Sequence, residues 1–324
     1  MSRFDFDTYI VNDFMTCIPG TKTLWHDLMD HFDGNWVGGH YQNIPHETVF
    51  YDMQDLKITD SLVIRNATYF PWIPTGNNPV ISLVQDICHN GHLRAWQLNV
   101  CANSDHVVFN SLHTLRAYPE VRTPKSVISL GVDDRLFSLP GSDGIPEDVG
   151  HLISGDVLWI GSGDAVKRPR LMCAIAEQNP NLKFTAVLKA SGSPWTNFPE
   201  NVTVLRQVAH ADLVPIIRRH RIGLCTSEEE TQHLAGIEMA LCGLQMVAPP
   251  VGLYKNVPPG DISQWAIVDK HENLAKIVEL AVQSPLDKPA VRKGVQEMCP
   301  TVSQCMDAWE RLVRSVMDKK RNPK

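Results

Sequence analysis

Short apolar runs alternate with amphipathic stretches in the second half of the chain, from about residue 156 onward. The runs are rich in Val, Ile, Leu and aromatic residues and are bounded by polar residues, so they predict buried strands. The stretches between them repeat apolar residues at helical spacing. Strands are predicted at 156–161, 183–188, 202–205, 221–225 and 245–248, and helices at 170–177, 211–218 and 234–242. This alternation indicates a parallel sheet covered by helices, with a ligand at the carboxyl ends of the strands.

The first half of the chain alternates in the same way but less regularly, and the chain ends in amphipathic helices. Strands are predicted at 61–65, 79–84 and 106–109, and C-terminal helices at 273–284 and 302–317. Pro, Gly and Ser cluster at 138–146, as they do in interdomain linkers. We therefore predict an N-terminal domain at 1–145 and a C-terminal domain at 146–300. The segment 301–324 is predicted to pack as a helix back toward the N-terminal domain, ending in a basic tail.

Length, composition and charge narrow the class of protein. The 324 residues are 43% hydrophobic and 20% charged, which is typical of a globular chain with two cores. No apolar run is long enough to span a membrane, and the first residues are acidic, so we expect a cytoplasmic protein without a transmembrane segment. The net charge of -6 lacks the basic excess of most nucleic-acid-binding proteins. The candidates for a local basic patch are Arg94, Arg116, Arg122 and Lys125.

Eight cysteines are scattered along the chain, mostly among apolar neighbours and without a Cys-x-x-Cys pair. This usage predicts reduced, buried thiols. Cys88, His89 and His92 lie close together in the sequence, but their spacing fits no zinc-site pattern. The sequence therefore predicts no metal site.

The segment 225–243 carries the most informative set of polar residues. It combines a strand end, an acidic loop and a helix that leaves Glu238 on the ligand side. The residues predicted to face the core are Leu234, Ile237 and Leu241. The start of this helix offers backbone N–H groups to a diphosphate, while Glu230 and Glu238 can accept hydrogen bonds from sugar and ribose hydroxyls. The alternative interpretation is a solvated acidic helix start, which the helix dipole favours without any ligand.

A second candidate segment, 159–169, follows the first strand of the C-terminal half. Gly161 and Gly163 allow a phosphate to approach the backbone closely, and Lys167 and Arg168 can neutralise its charge. A surface turn is the alternative interpretation of this pattern.

The two acids resemble the Glu-x7-Glu motif of family-4-like glycosyltransferases, the group 1 glycosyl transferases with the GT-B fold. The resemblance implies that Glu230 contacts the transferred sugar and Glu238 the nucleotide ribose. The helix end at 240–243 also matches the family. The residues Thr231, Gln232, His233 and Leu234 then line the donor, although the first three replace the usual Gly-Phe-Gly.

Further segments resemble the same family in the same order along the chain. Residues 159–169 resemble its phosphate-binding loop, in which Lys167 aligns with the family lysine and Ser162 stands in place of an arginine. The segments 107–111 and 127–137 resemble the end of the N-terminal domain. Nearer the N-terminus, 16–25 resembles a glycine-rich loop, and 82–89 matches a strand that usually ends in a catalytic histidine. The residues that these two segments contribute as candidates are Gly20, Lys22 and Asp86, while Gln85 occupies the histidine position.

The resemblance implies an α/β fold with two Rossmann-like domains facing each other across a cleft. It also implies transfer from a nucleotide diphosphate sugar, with a UDP-sugar favoured, with retention of anomeric configuration and without a metal or other cofactor. Glu230, Lys167 and Asp86 are then the candidate catalytic residues. The acceptor stays open among a small molecule, a lipid-linked glycan and a modified DNA base. The alternatives are a GT-B epimerase or hydrolase, and a catalytically weak partner subunit that binds a nucleotide-sugar.

Overall fold

The computed structural model describes seven ranges of the chain: 4–11, 24–37, 61–67, 78–139, 154–189, 196–259 and 264–321. The chain forms two compact units. The first comprises Met1–Gly131 with Val302–Lys324, and the second comprises Val132–Thr301. The second unit begins before the linker predicted at 138–146, because Val132 and Phe137 are already buried in its core. The final segment belongs to the first unit.

The first unit is built on a parallel sheet. Its strands are β1 (Asp7–Val11), β2 (Asn35–Val37), β3 (Ser61–Asn66), β4 (Val80–Val84), β5 (His106–Phe109) and β6 (Lys125–Val127). Among the described residues their order is β2-β1-β3-β4-β5-β6, and every neighbouring pair is parallel. With helix labels in chain order, the helices of this unit are α1 (Leu24–Phe32), α2 (Gly91–Ala102), α3 (Leu112–Ala117) and α9 (Val302–Arg321).

Both faces of this first sheet are covered. On one face, Ile64 and Leu83 pack with Trp309 of the C-terminal helix α9. On the other face, Phe109 packs with Tyr118, which follows α3. Because both faces are buried, the strands are continuous apolar runs, as expected for a parallel sheet between helices.

The second unit contains a second parallel sheet. Its strands are β7 (Val157–Gly161), β8 (Phe184–Leu188), β9 (Val202–Arg206), β10 (Ile222–Leu224), β11 (Gln245–Ala248) and β12 (Ala266–Val268). Their order in the described structure is β12-β11-β10-β7-β8-β9, again all parallel. The helices are α4 (Pro169–Gln178), α5 (Leu213–Arg218), α6 (Leu234–Leu241), α7 (Leu274–Gln283) and α8 (Lys288–Met298). The strands and helices predicted from 156 to 248 are therefore present.

The strand order of the second unit reverses at β7. Leu158 and Ile160 of β7 pack on one face of the sheet, and Val157 and Trp159 pack on the other, so the sheet is buried on both sides. The chain continues from β7 to one side, through β8 and β9, and then returns to place β10 on the other side. Such a reversal opens a crevice at the carboxyl ends of the two central strands, where doubly wound domains bind nucleotides.

The cysteines confirm the prediction of reduced thiols. Seven of them lie in the described residues, and each is a buried free thiol. Burial raises the pKa of Cys101, Cys242 and Cys299 to about 12, so these groups are protonated at neutral pH. None of the described helices is both long enough and apolar enough to cross a membrane.

Candidate functional site

Two loops meet at the crevice between β7 and β10. The first follows Gly161 and the second follows Leu224. The buried hydroxyl of Thr226 ties them together, since it accepts from the indole Nε1 of Trp159 at 2.9 Å and donates to the carbonyl of Lys167 at 2.7 Å. The backbone N–H of Glu228 also donates to the carbonyl of Val166 at 2.8 Å. The two loops are thus held as one structure.

The candidate acid Glu230 and the candidate cation Lys167 form an ion pair across this junction. The Lys167 Nζ lies 2.6 Å from the Glu230 Oε1, and Ser227 donates its hydroxyl to the same oxygen at 2.7 Å. The side chain of Glu230 is 8% exposed and that of Lys167 is 29% exposed. The structure therefore brings together two predicted residues from distant segments, with the carboxylate buried and the ammonium toward solvent.

The ionisation of Glu230 depends on these partners. Burial alone would raise its pKa, but interactions with His233, Lys167 and Ser227 outweigh burial and hold the pKa below the ordinary 4.5. Burial lowers the pKa of His233 to about 4, so His233 is uncharged at neutral pH. At neutral pH the attraction that keeps Glu230 ionised therefore comes from Lys167 and Ser227.

His233 ends the acidic loop in a left-handed conformation with φ of 67°. Its ring is buried, with Nδ1 hydrogen-bonded to the hydroxyl of Tyr254 at 2.7 Å and Nε2 4.0 Å from the Glu230 Oε1. His233 stands where the resembled family has a glycine, and a positive φ is the conformation that favours glycine. Tyr254 therefore supports the one residue of the loop whose backbone is strained.

Within the described part of the chain, the residues that most resemble a set of metal ligands also belong to the acidic loop. Ligand atoms of Cys225, Glu230 and His233 lie within 4.8 Å of one another. The Lys167 ammonium already neutralises Glu230, and burial raises the pKa of the Cys225 thiol to about 12. A metal bound here would have to displace the ammonium and deprotonate the thiol.

Helix α6 presents the second predicted acid. Glu238 is half-buried, and its Oε1 lies 2.8 Å from Nε2 of His210, in the 3₁₀ turn His210–Asp212. Ile237 and Leu241 face the core as predicted, but Leu234 does not, because it is 37% exposed. Leu234 lies one helical turn before Glu238, and residues four apart share a face, so both lie on the open side of the helix.

The other donor-site candidates of this unit lie in the same two loops. Gly161 is buried against the indole of Trp159, and a β-carbon there would lie 2.7 Å from that ring. Ser162 is buried, and Arg168 takes a left-handed conformation with φ of 51° immediately before Pro169. The remaining candidates in these loops are Gly163, Thr231 and Gln232.

The site residues predicted in the N-terminal half belong to the first unit. Asp86 is an exposed residue of the first unit, just after β4, and its carbonyl accepts a hydrogen bond from the Tyr118 hydroxyl at 3.3 Å. Gln85, at the position of the family histidine, accepts from the indole of Trp25 at 3.2 Å. Gly20 and Lys22 lie outside the described residues.

Sequence reasoning missed the residues that hold the site together. These residues are Thr226, Ser227, His210 and Tyr254. Ser227 had a local signal, because a hydroxyl three residues before an acid can reach it in a turn. The others contact partners far away in sequence.

Comparison with known proteins supports the fold rather than a specific relationship. No protein-family model matches the chain, and no curated protein matches it in sequence. Solved structures do match. Sucrose-phosphate synthase from Thermosynechococcus elongatus is 14% identical, with a TM-score of 0.73 over 97% of this chain and 99% of that one. Anabaena HepE in complex with UDP-glucose is 13% identical, with a TM-score of 0.72 over 95% and 99% of the two chains.

A third match is the UDP-forming alpha,alpha-trehalose-phosphate synthase from Burkholderia xenovorans, in complex with glucose-6-phosphate. It is 12% identical, with a TM-score of 0.67 over 95% of this chain and 100% of that chain. The fold is that of the GT-B glycosyltransferases. The prediction of a GT-B fold with two parallel α/β sheets is confirmed. In this chain, Lys167 and Glu230 form an ion pair in the second unit.

Proposed function

We propose that this protein is a glycosyltransferase that uses a nucleotide diphosphate sugar, with a UDP-sugar as the favoured donor. The ion pair between Lys167 and Glu230 carries the proposal, because it lies at the crevice between β7 and β10 where a doubly wound domain binds a nucleotide. The similarity to HepE, whose structure contains UDP-glucose, supports the choice of donor.

Each residue of the crevice has a role in this proposal. Lys167 neutralises the diphosphate, with Arg168 as a second cation and with the N–H groups at the start of α6 as further donors. Glu230 is kept ionised by its partners, so it accepts hydrogen bonds from hydroxyls of the transferred sugar. Glu238 accepts hydrogen bonds from the ribose.

The proposed reaction breaks the bond between the anomeric carbon and the diphosphate oxygen. The bonding electrons leave with the diphosphate, where Lys167 stabilises the added charge. A new bond forms from the anomeric carbon to the acceptor oxygen on the same face, which retains the anomeric configuration. The acceptor hydroxyl gives its proton to the departing diphosphate. The crevice supplies cations from its own side chains, so we propose that this step needs no metal.

We propose that the acceptor is a molecule with a free hydroxyl group. A small molecule, a lipid-linked glycan and a modified DNA base are the three classes to compare. Asp86 stays a prediction for a catalytic residue, and Gly20 and Lys22 stay predictions for donor contacts. We propose a cytoplasmic location for the enzyme.

The test begins with a calorimetric screen of nucleotide-sugars for binding to the full chain. The best donor is then combined with each acceptor class, and products are identified by mass spectrometry, with and without EDTA. We expect sugar transfer that EDTA does not reduce. If the protein changes the sugar of the donor in the absence of an acceptor, it is an epimerase, and if it releases free sugar, it is a hydrolase. Donor binding without any turnover would instead identify a partner subunit.

Two matched pairs of variants test the site itself. Lys167→Ala and Glu230→Gln are expected to lower transfer by about 100-fold or more, the usual cost of losing one preorganised electrostatic contact. Lys276→Ala and Glu279→Gln change the same residue types at exposed positions of α7 and should leave transfer unchanged. Normal turnover in both site variants would overturn the assignment.

A further inference from the structure

We propose that His210 positions Glu238 for the ribose of the nucleotide, and that this contact selects ribonucleotides over 2′-deoxyribonucleotides. The proposal rests on the proposed function, because it assumes that a nucleotide occupies the crevice of the second unit. It adds a residue that no sequence motif indicated.

The geometry holds His210 and Glu238 in a fixed arrangement. The His210 Nε2 lies 2.8 Å from the Glu238 Oε1, with side chains 19% and 14% exposed. The imidazole also packs edge-to-face with the ring of Phe137, with centroids 5.0 Å apart and planes inclined by 62°. The imidazole is thus held by a hydrogen bond on one side and by an aromatic ring on another, so it has little freedom to rotate.

This arrangement suits an acceptor of ribose hydroxyls. A carboxylate has two oxygens and about four acceptor positions, so Glu238 can receive hydroxyl donors while it stays bonded to His210. Without His210 the carboxylate would have to be ordered at the moment of binding, which costs side-chain entropy. A site built to bond a hydroxyl also discriminates against a ligand that lacks one, because a polar group is then left without its partner.

The charge state of His210 provides a second prediction from the same contact. Its hydrogen bond to Glu238 raises its pKa above 6.5, and this outweighs the lowering effect of burial. The other charged groups that act on it are Lys189, which lowers its pKa, and Asp133, which raises it. His210 is therefore protonated below the raised pKa and becomes neutral above it. We expect Glu238 to be held less firmly, and ribose selectivity to fall, as the pH rises through that pKa.

The experiment measures binding of UDP and of 2′-deoxy-UDP to the full chain by calorimetry, across a range of pH. The wild-type protein should prefer UDP by about tenfold or more, the value for one hydrogen bond to a charged group. His210→Phe keeps an aromatic ring beside Phe137 but removes the N–H, and should bring the preference close to one. His210→Gln keeps an N–H donor and should retain part of the preference, now independent of pH.

The control is His31→Gln in the first unit. His31 and Glu310 form a similar half-buried pair at 3.1 Å, so the variant makes the same chemical change away from the crevice. It should leave the UDP preference and its pH profile unchanged. Circular dichroism of each variant separates a loss of fold from a loss of selectivity.

The outcomes separate the two proposals. If wild-type protein binds UDP, and His210→Phe and His210→Gln keep the wild-type preference and pH profile, the positioning role is wrong while the proposed function stands. If wild-type protein binds UDP and 2′-deoxy-UDP equally well at every pH, ribose selection is wrong in the same way. Failure of the wild-type protein to bind any nucleotide or nucleotide-sugar would overturn both proposals.

Discussion

Gly252 packs so closely on Glu230 that a β-carbon at position 252 would lie 2.9 Å from the Glu230 carbonyl oxygen. Gly252 also has a φ of +50°, which side chains rarely adopt. It begins the 3₁₀ turn Gly252–Asn256, which follows β11. Glu230 follows the neighbouring strand β10, so the loop after β11 supports the loop after β10. The position of Glu230 therefore depends on a residue with no polar side chain.

Gly252→Ala is expected to destabilise the protein by about 2–4 kcal/mol, from left-handed strain together with overpacking. It should also weaken donor binding, because the new methyl group pushes on the main chain of Glu230. Urea unfolding and calorimetry measure the two effects. Gly91→Ala is the control, since a β-carbon there meets nothing within 4 Å. Equal stability of the two variants would contradict the close contact.

Thr226→Val tests the hydroxyl that joins the two loops. The change leaves the Trp159 indole N–H and the Lys167 carbonyl without their partner, at a cost of about 1–3 kcal/mol for each buried group. We expect lower stability and weaker donor binding in this variant. Thr226→Ser keeps the hydroxyl and should lie much closer to the wild-type protein. If Thr226→Val and Thr226→Ser had the same stability and donor affinity, the hydroxyl would not be what holds the two loops together.

His233 gives the stability of the second unit a specific pH dependence. The pKa of His233 is about 4 in the folded chain and about 6.5 in an unfolded chain, so the unfolded state takes up the proton first. Its contribution to stability is complete above pH 6.5 and is lost as the pH falls toward 4. His233→Asn, which tolerates a left-handed backbone, should flatten the curve of unfolding free energy over this interval. His92→Asn, at an exposed position of α2, should leave the curve unchanged.

Trp309 tests the part that α9 plays in the first unit. Its side chain is fully buried, and its indole N–H has no hydrogen-bond partner within the described structure. Trp309→Ala is expected to cost about 3–5 kcal/mol, as for other large core truncations. Trp309→Phe also removes the buried N–H, so it should cost much less. Chemical denaturation of both variants checks the ranking, and a reversed order would contradict it.

Much of the fold could be predicted because the strands are buried on both faces. The run predicted at 156–161 is the strand Val157–Gly161, and the helix predicted at 170–177 is Pro169–Gln178. A buried parallel strand is a continuous apolar run with few alternative interpretations. The candidate acids Glu230 and Glu238 were predicted from the polar loop and helix at 225–243 and from their match to the Glu-x7-Glu motif of the resembled family.

The remainder depends on contacts that no local pattern encodes. Helical periodicity assigned Leu234 to the core, but the left-handed turn at His233 sets the direction in which α6 starts. The pairing of His210 with Glu238 joins residues from different βα units, so the sequence contained no spacing that could reveal it. Domain limits inferred from Pro and Gly content do not show how the flanking residues pack. Phe137 precedes the predicted linker in sequence, but its side chain is buried in the core of the second unit.

The position of α9 has a consequence for biosynthesis. The helix Val302–Arg321 completes the core of the first unit, yet the ribosome produces it after all of Val132–Thr301. The second unit is continuous in the chain and can fold during translation as it emerges. The first sheet must wait with one apolar face uncovered until synthesis of α9 is complete. We therefore expect nascent chains stalled near residue 301 to recruit chaperones through the N-terminal segment, although that segment was synthesised first.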